Sequence, residues 1–321
     1  KSFLEDIPRH VLEDEKDSFL TLTVENDTFG SGTDKNYTSG VRLTYFDVGD
    51  RPKKIGRWLA DIVPPFEVNK TTSISYAIGQ NLYTPEDITI AGKQPDERPW
   101  AGFLYGSIGM STVRGNSVDD IEATVGVTGP VALGKPTQKF IHDLLDARDP
   151  KGWDNQIKNE PGLILSWRRR WPRYLAYEYQ DMAFTVAPNM GVNLGNIYTT
   201  AETGITARLM PENGQWQDTP LLVRPSIPGS GYFYTENNGF NWYLFGGLQG
   251  RAVARNIFLD GNTFRDSPSI DKKSFVIDAT AGLALTYANT RISYAAVYRT
   301  KEYDGQEDPS FFGAVSIGYR F

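Results

Sequence analysis

Apolar and polar side chains alternate along most of this chain, which is the pattern of β-strands with two different faces. In the first such segment, Leu20, Leu22 and Val24 share one face and the residues between them are polar. About twelve strands are predicted, at 20–25, 40–45, 74–79, 101–113, 121–127, 162–171, 182–195, 197–209, 240–254, 275–286, 291–303 and 311–321.

The length of these strands favours a membrane-spanning barrel. Several approach the ~9–11 residues of a tilted membrane strand, and an even strand number is expected of a bacterial single-chain barrel. The last strand, FFGAVSIGYRF, places Val315, Ile317 and Tyr319 on one face with the terminal Phe321. It resembles the C-terminal strand that the outer-membrane assembly machinery recognises. A β-sandwich that ends in Phe is the alternative. The recurrent alternation instead predicts an all-β fold, a single transmembrane antiparallel β-barrel.

Composition supports many strands and excludes several site types. Aromatic residues make up 13% of the chain and there are 31 glycines, which suits strands better than helices. No window approaches the ~20 consecutive apolar residues of a spanning helix, but a barrel needs apolar residues only on its outer face. The net charge of −6 does not indicate a nucleic-acid partner. Because there is no cysteine, disulfides, zinc thiolates and a thiol nucleophile are excluded.

No repeat or linker divides the chain, so residues 1–321 are predicted to form one domain. Residues 1–17 carry charge throughout and lack the apolar core of a signal peptide. We expect any export signal to have been removed already.

One segment, at 134–153, departs from the strand pattern. Its apolar residues follow helical spacing: Phe140, Ile141, Leu144 and Leu145. With Pro136 suited to a first turn, a short helix is predicted at about 136–146 in an extracellular connection. Lys139, Asp143 and Asp146 face away from the apolar stripe. Gln138 and His142 lie one turn apart at its border, so we expect His142 to be partly desolvated and hydrogen-bonded, with Gln138 as its neighbour.

His142 is a candidate catalytic base. A neutral imidazole can take a proton from water near neutral pH, and the only other histidine, His10, lies in the charged N-terminal segment. An ordinary boundary residue on a surface helix is the alternative. The catalytic interpretation needs an electrophilic partner elsewhere in the chain.

The stretch VENDTFGSGTDKNYTSG at 24–40 offers that partner. Asn26 and Asp27 end the first strand and Thr38 begins the second. Oxygen ligands of this kind suit Ca²⁺. The same residue types are also common in turns, so a plain turn is the alternative.

Several motifs resemble, in their order, those of the outer-membrane lipid A 3'-O-deacylase family. They are TVENDTFGSGTDKNYTSG, GQNLYTPEDI, PDERPWAGFLYGS, VGVTGP, TQKFIHDLL, GWDNQI and NMGVNLGNIYT. The resemblance implies a twelve-stranded barrel that hydrolyses the 3'-linked acyloxyacyl chain of lipid A in a Ca²⁺-dependent way. It also implies the outer membrane as location, lipid A or lipopolysaccharide as substrate, and contact with outer-membrane lipids. We further expect a monomer.

The resemblance implies roles for five residues. His142 would be the general base that activates water, and Gln138 would orient it or help to hold the substrate. Asp27 would ligate Ca²⁺. Asn26 and Thr38 would line the site and help to stabilise the oxyanion.

Four charged residues complete the predicted site. Where an acidic residue is expected after the histidine helix, this chain has Arg148, and the adjacent Asp149 is the substitute metal ligand. Lys93, Arg98 and Arg148 are predicted to meet the phosphates of lipid A. Each of these three cations has an alternative role as a solvated loop charge.

Two other functions stay open at this stage. An outer-membrane phospholipase would need a serine paired with the histidine, and Ser39 is the serine to test. A porin or structural barrel would be non-enzymatic, but twelve strands with a histidine-bearing helix suggest a filled interior.

Overall fold

A computed structural model describes most of the chain. The described residues are 18–29, 36–48, 58, 60–63, 65–212, 217–220, 222–223, 230–233 and 239–321.

Thirteen strands and two helices have both ends within the described residues, and residues 58 and 60–62 are also helical. The strands are β1 Ser18–Asn26, β2 Asn36–Asp47, β3 Ser73–Thr84, β4 Ala101–Arg114, β5 Ser117–Thr128, β6 Glu160–Arg170, β7 Leu175–Tyr179, β8 Met182–Gly195, β9 Tyr198–Pro211, β10 Phe240–Asn256, β11 Phe275–Tyr287, β12 Thr290–Arg299 and β13 Ser310–Arg320. The helices are α1 Gly134–Leu145 and α2 Ile257–Asp260, and 3-10 turns lie at Asp27–Phe29, Pro130–Ala132 and Trp153–Asn155.

Twelve of these strands close into one antiparallel ring. Neighbouring strands pair in sequence, β6 pairs with β8, and β13 pairs with β1 to complete the ring. Short β7 pairs only with β8 and extends the sheet beside the ring. Closure leaves no long open edge. The predicted twelve-stranded barrel is confirmed, and β7 is the one strand that was not predicted.

The two faces of the wall follow the predicted alternation, with apolar residues outside. On β1, the outward Leu20 and Leu22 are each 41% exposed, whereas Thr21 and Thr23 are 3% and 1% exposed. A soluble sheet buries its apolar face, so this inverted arrangement is that of a barrel surrounded by lipid. No helix in the described ranges is long and apolar enough to cross a membrane.

Ion pairs fill the lumen. Pairs between buried side chains include Arg42–Glu122 at 2.6 Å, Arg168–Glu202 at 2.5 Å and Arg251–Asp278 at 2.9 Å. Between these groups remains a cavity of about 60 Å³. Among the described residues, the interior shows no wide channel of the kind that the porin alternative requires.

Helix α1 begins two residues before the predicted start and ends one residue before the predicted end. Pro136 occupies its first turn, where the missing N–H removes no helical hydrogen bond. The end of the barrel that carries α1, with the β1–β2, β3–β4 and β5–β6 connections, is called the α1 rim below.

Candidate active site on the outer wall

The strand register brings the predicted site segments to one level of the α1 rim. Asn26 on β1 pairs with Ser39 on β2, which pairs with Leu82 on β3, which pairs with Gly102 on β4. Directly paired residues point to the same side of a sheet. Leu82 lies four residues from the outward-facing Ile78, which is 58% exposed, so the whole row faces outward. The candidate site is therefore on the outside of the barrel, not in its lumen.

Helix α1 lies directly against this part of the wall. A Cβ on Gly102 would lie 3.3 Å from the Cβ of Ala132 and 3.4 Å from the Cα of Gly134. The side-chain amide of Gln80 donates a hydrogen bond of 2.6 Å to the carbonyl of Ala132. Leu82 is only 1% exposed although it faces outward. Because Gly102 and Gly134 have no side chains, the backbone at the start of α1 can approach the backbone of β3 and β4 closely.

The buried face of α1 carries its polar site residues. Gln138 is 2% exposed and His142 is 5% exposed. They are four residues apart, so both lie on the side of the helix that faces the barrel wall. By contrast, Phe140 is 67% and Leu144 is 73% exposed. Phe140 and Leu144 of the predicted apolar stripe are therefore exposed, whereas Ile141 of the same stripe is half-buried. Gln138 and His142 lie on the buried side of the helix, at the border of the stripe as predicted.

A hydrogen bond fixes the tautomer of His142. Its Nδ1 lies 2.5 Å from the main-chain carbonyl oxygen of Arg148. A carbonyl only accepts hydrogen bonds, so Nδ1 carries the proton and donates it. In the neutral ring Nε2 is then the basic nitrogen.

The end of the helix positions the carbonyl that holds His142. Asp146 has φ 52°, the left-handed conformation that closes many helices. The N–H of Ala147 donates to the carbonyl of His142 at 2.9 Å. This reversal brings the backbone of Arg148 back to the imidazole.

Gln138 is oriented by a tryptophan. The indole N–H of Trp153 donates a hydrogen bond of 2.7 Å to Oε1 of Gln138. The buried Nε2 of Gln138 has no hydrogen-bond partner among the described residues. Trp153 is fully buried and packs on Trp100, with 5.1 Å between ring centroids. Sequence reasoning missed Trp153, although the GWDNQI motif contains it.

The ends of β1 and β2 supply the other predicted residues. Asp27 is 2% exposed at the start of a 3-10 turn, and Asn26 before it is half-buried. The register of β2 against β3 shifts between Tyr37 and Ser39, which makes Thr38 the extra residue of a bulge. Bulges re-aim side chains beside active sites. The Thr38 side chain itself is outside the described part of the structure.

Two strand spacings separate the end of β1 from the wall beneath α1. Because neighbouring strands lie about 4.8 Å apart, the backbones of Asn26 and Leu82 are about 10 Å apart. The structure thus brings the β1 end, the β2 bulge and the histidine helix to the same region.

The predicted cationic residues differ in accessibility. Arg98 is fully buried, its Nη1 lies 3.3 Å from Oε2 of Glu302, and its guanidinium lies 4.9 Å from the centre of the Tyr83 ring. Tyr83 belongs to the inward face of β3. The Arg98 guanidinium therefore lies inside the barrel, where Glu302 pairs with it, and it is not accessible to a phosphate group. Lys93 and Arg148 are exposed.

The oxygen donors at this rim fit a hard cation that takes mixed ligands. The described residues contain no group of three or more His, Asp or Glu side chains able to hold a metal. A Ca²⁺ site here would therefore combine the buried Asp27 carboxylate with amide, hydroxyl or main-chain oxygens, which Ca²⁺ accepts. Asp149, the second predicted ligand, is exposed, and its participation stays a prediction.

Comparison with known proteins decides the family. A family model described as outer membrane protein LpxR matches residues 6–321. The chain belongs to the LpxR family. This confirms the resemblance to the outer-membrane lipid A 3'-O-deacylases and the outer membrane as location. No curated protein sequence matches the chain.

One solved structure agrees on the fold, and two other barrels are less similar. LpxR from Salmonella typhimurium matches with a TM-score of 0.74 and 19% identity, covering 94% of this chain and 99% of that one. The translocator domain of autotransporter NalP from Neisseria meningitidis has a TM-score of 0.37 and 9% identity, covering 96% and 88%. A KdgM porin in complex with disordered oligogalacturonate has a TM-score of 0.34 and 10% identity, covering 94% and 99%.

Proposed function

We propose that this barrel is a Ca²⁺-dependent esterase that hydrolyses the 3'-linked acyloxyacyl chain of lipid A in the outer leaflet. Membership of the LpxR family supports an outer-membrane lipid A deacylase. The observation that carries the chemistry is the buried His142, whose Nδ1 is held by the Arg148 carbonyl on a helix packed against the outer wall.

Water is the nucleophile in this proposal. Nε2 of His142 takes a proton from water as the water oxygen attacks the ester carbonyl carbon. The tetrahedral intermediate then expels the sugar 3'-oxygen, which receives the proton from His142. The products are the free acyloxyacyl acid and a 3'-hydroxyl group. No serine nucleophile is needed.

The remaining residues position the substrate and stabilise charge. Asn26 and Thr38 would donate hydrogen bonds to the developing oxyanion, and the amide Nε2 of Gln138 is a buried donor beside His142. Asp27 and Asp149 are the proposed Ca²⁺ ligands. When bound, Ca²⁺ would add positive charge that polarises the ester carbonyl.

The exposed surface of the α1 rim supports a proposal about substrate recognition, and the closed ring of strands supports one about the oligomeric state. We assign the α1 rim to the extracellular side, where exposed Lys93 and Arg148 would meet lipid A phosphates. Arg98 is left out of this proposal because Glu302 pairs with it inside. The ring closes within one chain, which supports a monomer.

Mass spectrometry of lipid A tests the proposed function directly. Cells that express the protein should lose the 3'-linked acyl chains from lipid A, and purified protein in detergent should release them when Ca²⁺ is present. Unchanged lipid A, with the barrel correctly inserted, would refute the proposal.

A further inference from the structure

Helix α1 has three distinct sides rather than two. At 100° per residue, one side faces the wall with Gly134, Gln138 and His142. A second side is polar and exposed, with Lys135, Lys139 and Asp143. The third side is apolar and exposed, and we call it the apolar flank: Leu133, Phe140 and Leu144.

The apolar flank is unusually exposed for large hydrophobic side chains. Leu133 is 52%, Phe140 67% and Leu144 73% exposed. A cluster of this kind facing water would be unfavourable, and it normally marks an interaction surface. Both other sides of the helix are already explained, one by the wall and one by solvent.

The strands around α1 show what surrounds this flank. Ile78 on β3 is 58% exposed, Val125 on β5 is 60% and Leu163 on β6 is 54%. These residues belong to the outward face of an outer-membrane barrel and therefore contact lipid acyl chains. Helix α1 packs on β3 and β4 and so lies on this same outer surface.

We propose that the apolar flank of α1 binds acyl chains of outer-leaflet glycolipid and so holds the helix that carries His142 at the membrane surface. Phe140 and Leu144 each lie two positions from His142, which is about 200° around the helix, so they point away from the side that faces the wall. Acyl chains on the flank therefore contact α1 on the side opposite the candidate site, and the polar side of the helix faces water. The membrane contact stands on the exposure pattern alone, whereas its effect on turnover rests on the proposed function.

Site-directed spin labelling tests the membrane contact without any activity assay. The chain has no cysteine, so Leu144→Cys and Lys139→Cys each give a single labelling position on the two exposed flanks. In vesicles that contain lipid A, the label at 144 should collide severalfold more with dioxygen, relative to a water-soluble nickel chelate, than the label at 139. Equal ratios would overturn the proposal. So would dipolar broadening at 144, since it would indicate a second copy of the chain on the flank.

Kinetics on two substrates test the effect of this contact on turnover. The double variant Phe140→Ser with Leu144→Ser should lose about tenfold or more of kcat/KM on lipid A in vesicles, because α1 would no longer be held at the membrane surface. It should keep its activity on a water-soluble ester of a short acid, and the matched Lys139→Ser variant should keep both activities. An equal loss on both substrates, or no loss on lipid A, would refute this role. If the wild type hydrolyses neither substrate, the proposed function fails, and the effect on turnover with it, while the spin-label result still decides the membrane contact.

Discussion

The main-chain carbonyl of Arg148, and not its side chain, holds Nδ1 of His142 at 2.5 Å. This contact leaves Nε2 as the basic nitrogen of the ring. The position of Arg148 therefore matters for the proposed chemistry even though its guanidinium is exposed.

Replacement of His142 by Ala should lower kcat for deacylation about a thousandfold, because proton transfer by a positioned base contributes at that scale. Arg148→Ala keeps the backbone carbonyl, so its kcat should stay near that of the wild type, while its KM should rise because the proposed phosphate contact is lost. Heat-modified gel mobility checks that both barrels fold. A folded His142→Ala barrel with full activity would show that His142 is not the base.

The hydrogen bond from Trp153 to Gln138 gives a second prediction. Trp153→Phe removes the indole N–H and keeps an aromatic ring, so kcat should fall about fivefold to tenfold as the Gln138 amide loses its orientation. Trp100 is the matched control, because it is buried in the same cluster and its Nε1 has no hydrogen-bond partner among the described residues. Trp100→Phe should therefore change stability without a comparable loss of kcat. Equal losses in both variants would mean that only packing is involved.

The ring strands were predictable because their signal is local. Period-two alternation can be detected within each segment without reference to the rest of the chain. Each of the twelve predicted segments corresponds to a strand of the ring. Strand β7 was missed because it has five residues and pairs only with β8. Its residues do alternate, with Leu175, Tyr177 and Tyr179 on one face, but five residues are too few to indicate a membrane-spanning strand.

The orientation of α1 could not be read from its helical wheel. A wheel identifies an apolar stripe but not the medium that surrounds it. Phe140 and Leu144 lie on the outer surface of a membrane barrel, where the apolar side need not face protein. The buried side is instead the one with Gln138 and His142.

Two further features depend on contacts that are distant in sequence. Arg98 pairs with Glu302, 204 residues away, so its burial inside the barrel left no local signal. Trp153 reaches Gln138 across the end of α1 through a turn whose path the sequence does not reveal.

Calcium dependence provides the third prediction. Chelation should abolish deacylation by the purified protein, and added Ca²⁺ should restore it. Asp27→Asn removes the charge of the buried carboxylate and should raise the Ca²⁺ concentration needed for half-maximal activity by about tenfold or more. Asp149→Asn tests the second predicted ligand by the same titration. Full activity of the metal-free wild type would exclude the Ca²⁺ role.

A serine mechanism makes the opposite prediction at Ser39. This residue is 7% exposed and lies in the outward row between Asn26 and Leu82, so it is near enough to the site to be a fair test. Since the proposed nucleophile is water, Ser39→Ala should retain kcat within a factor of about two. Loss of activity by three orders of magnitude, together with a covalent acyl adduct on the wild type in mass spectrometry, would favour the phospholipase type of mechanism.

The last prediction concerns the filled lumen that supports the outer-wall site. Asp278 is fully buried between Arg251 and Arg299, with both guanidinium groups at 2.9 Å. Asp278→Leu would leave two buried cations without their shared carboxylate, so unfolding by guanidinium should show a loss of about 3 kcal/mol or more. Asp304, which pairs with Lys273 and whose side chain is 60% exposed, is the matched control, and Asp304→Leu should cost less than about 1 kcal/mol. Similar losses for both variants would show that the luminal ion pairs do not hold the barrel wall more strongly than a surface pair does.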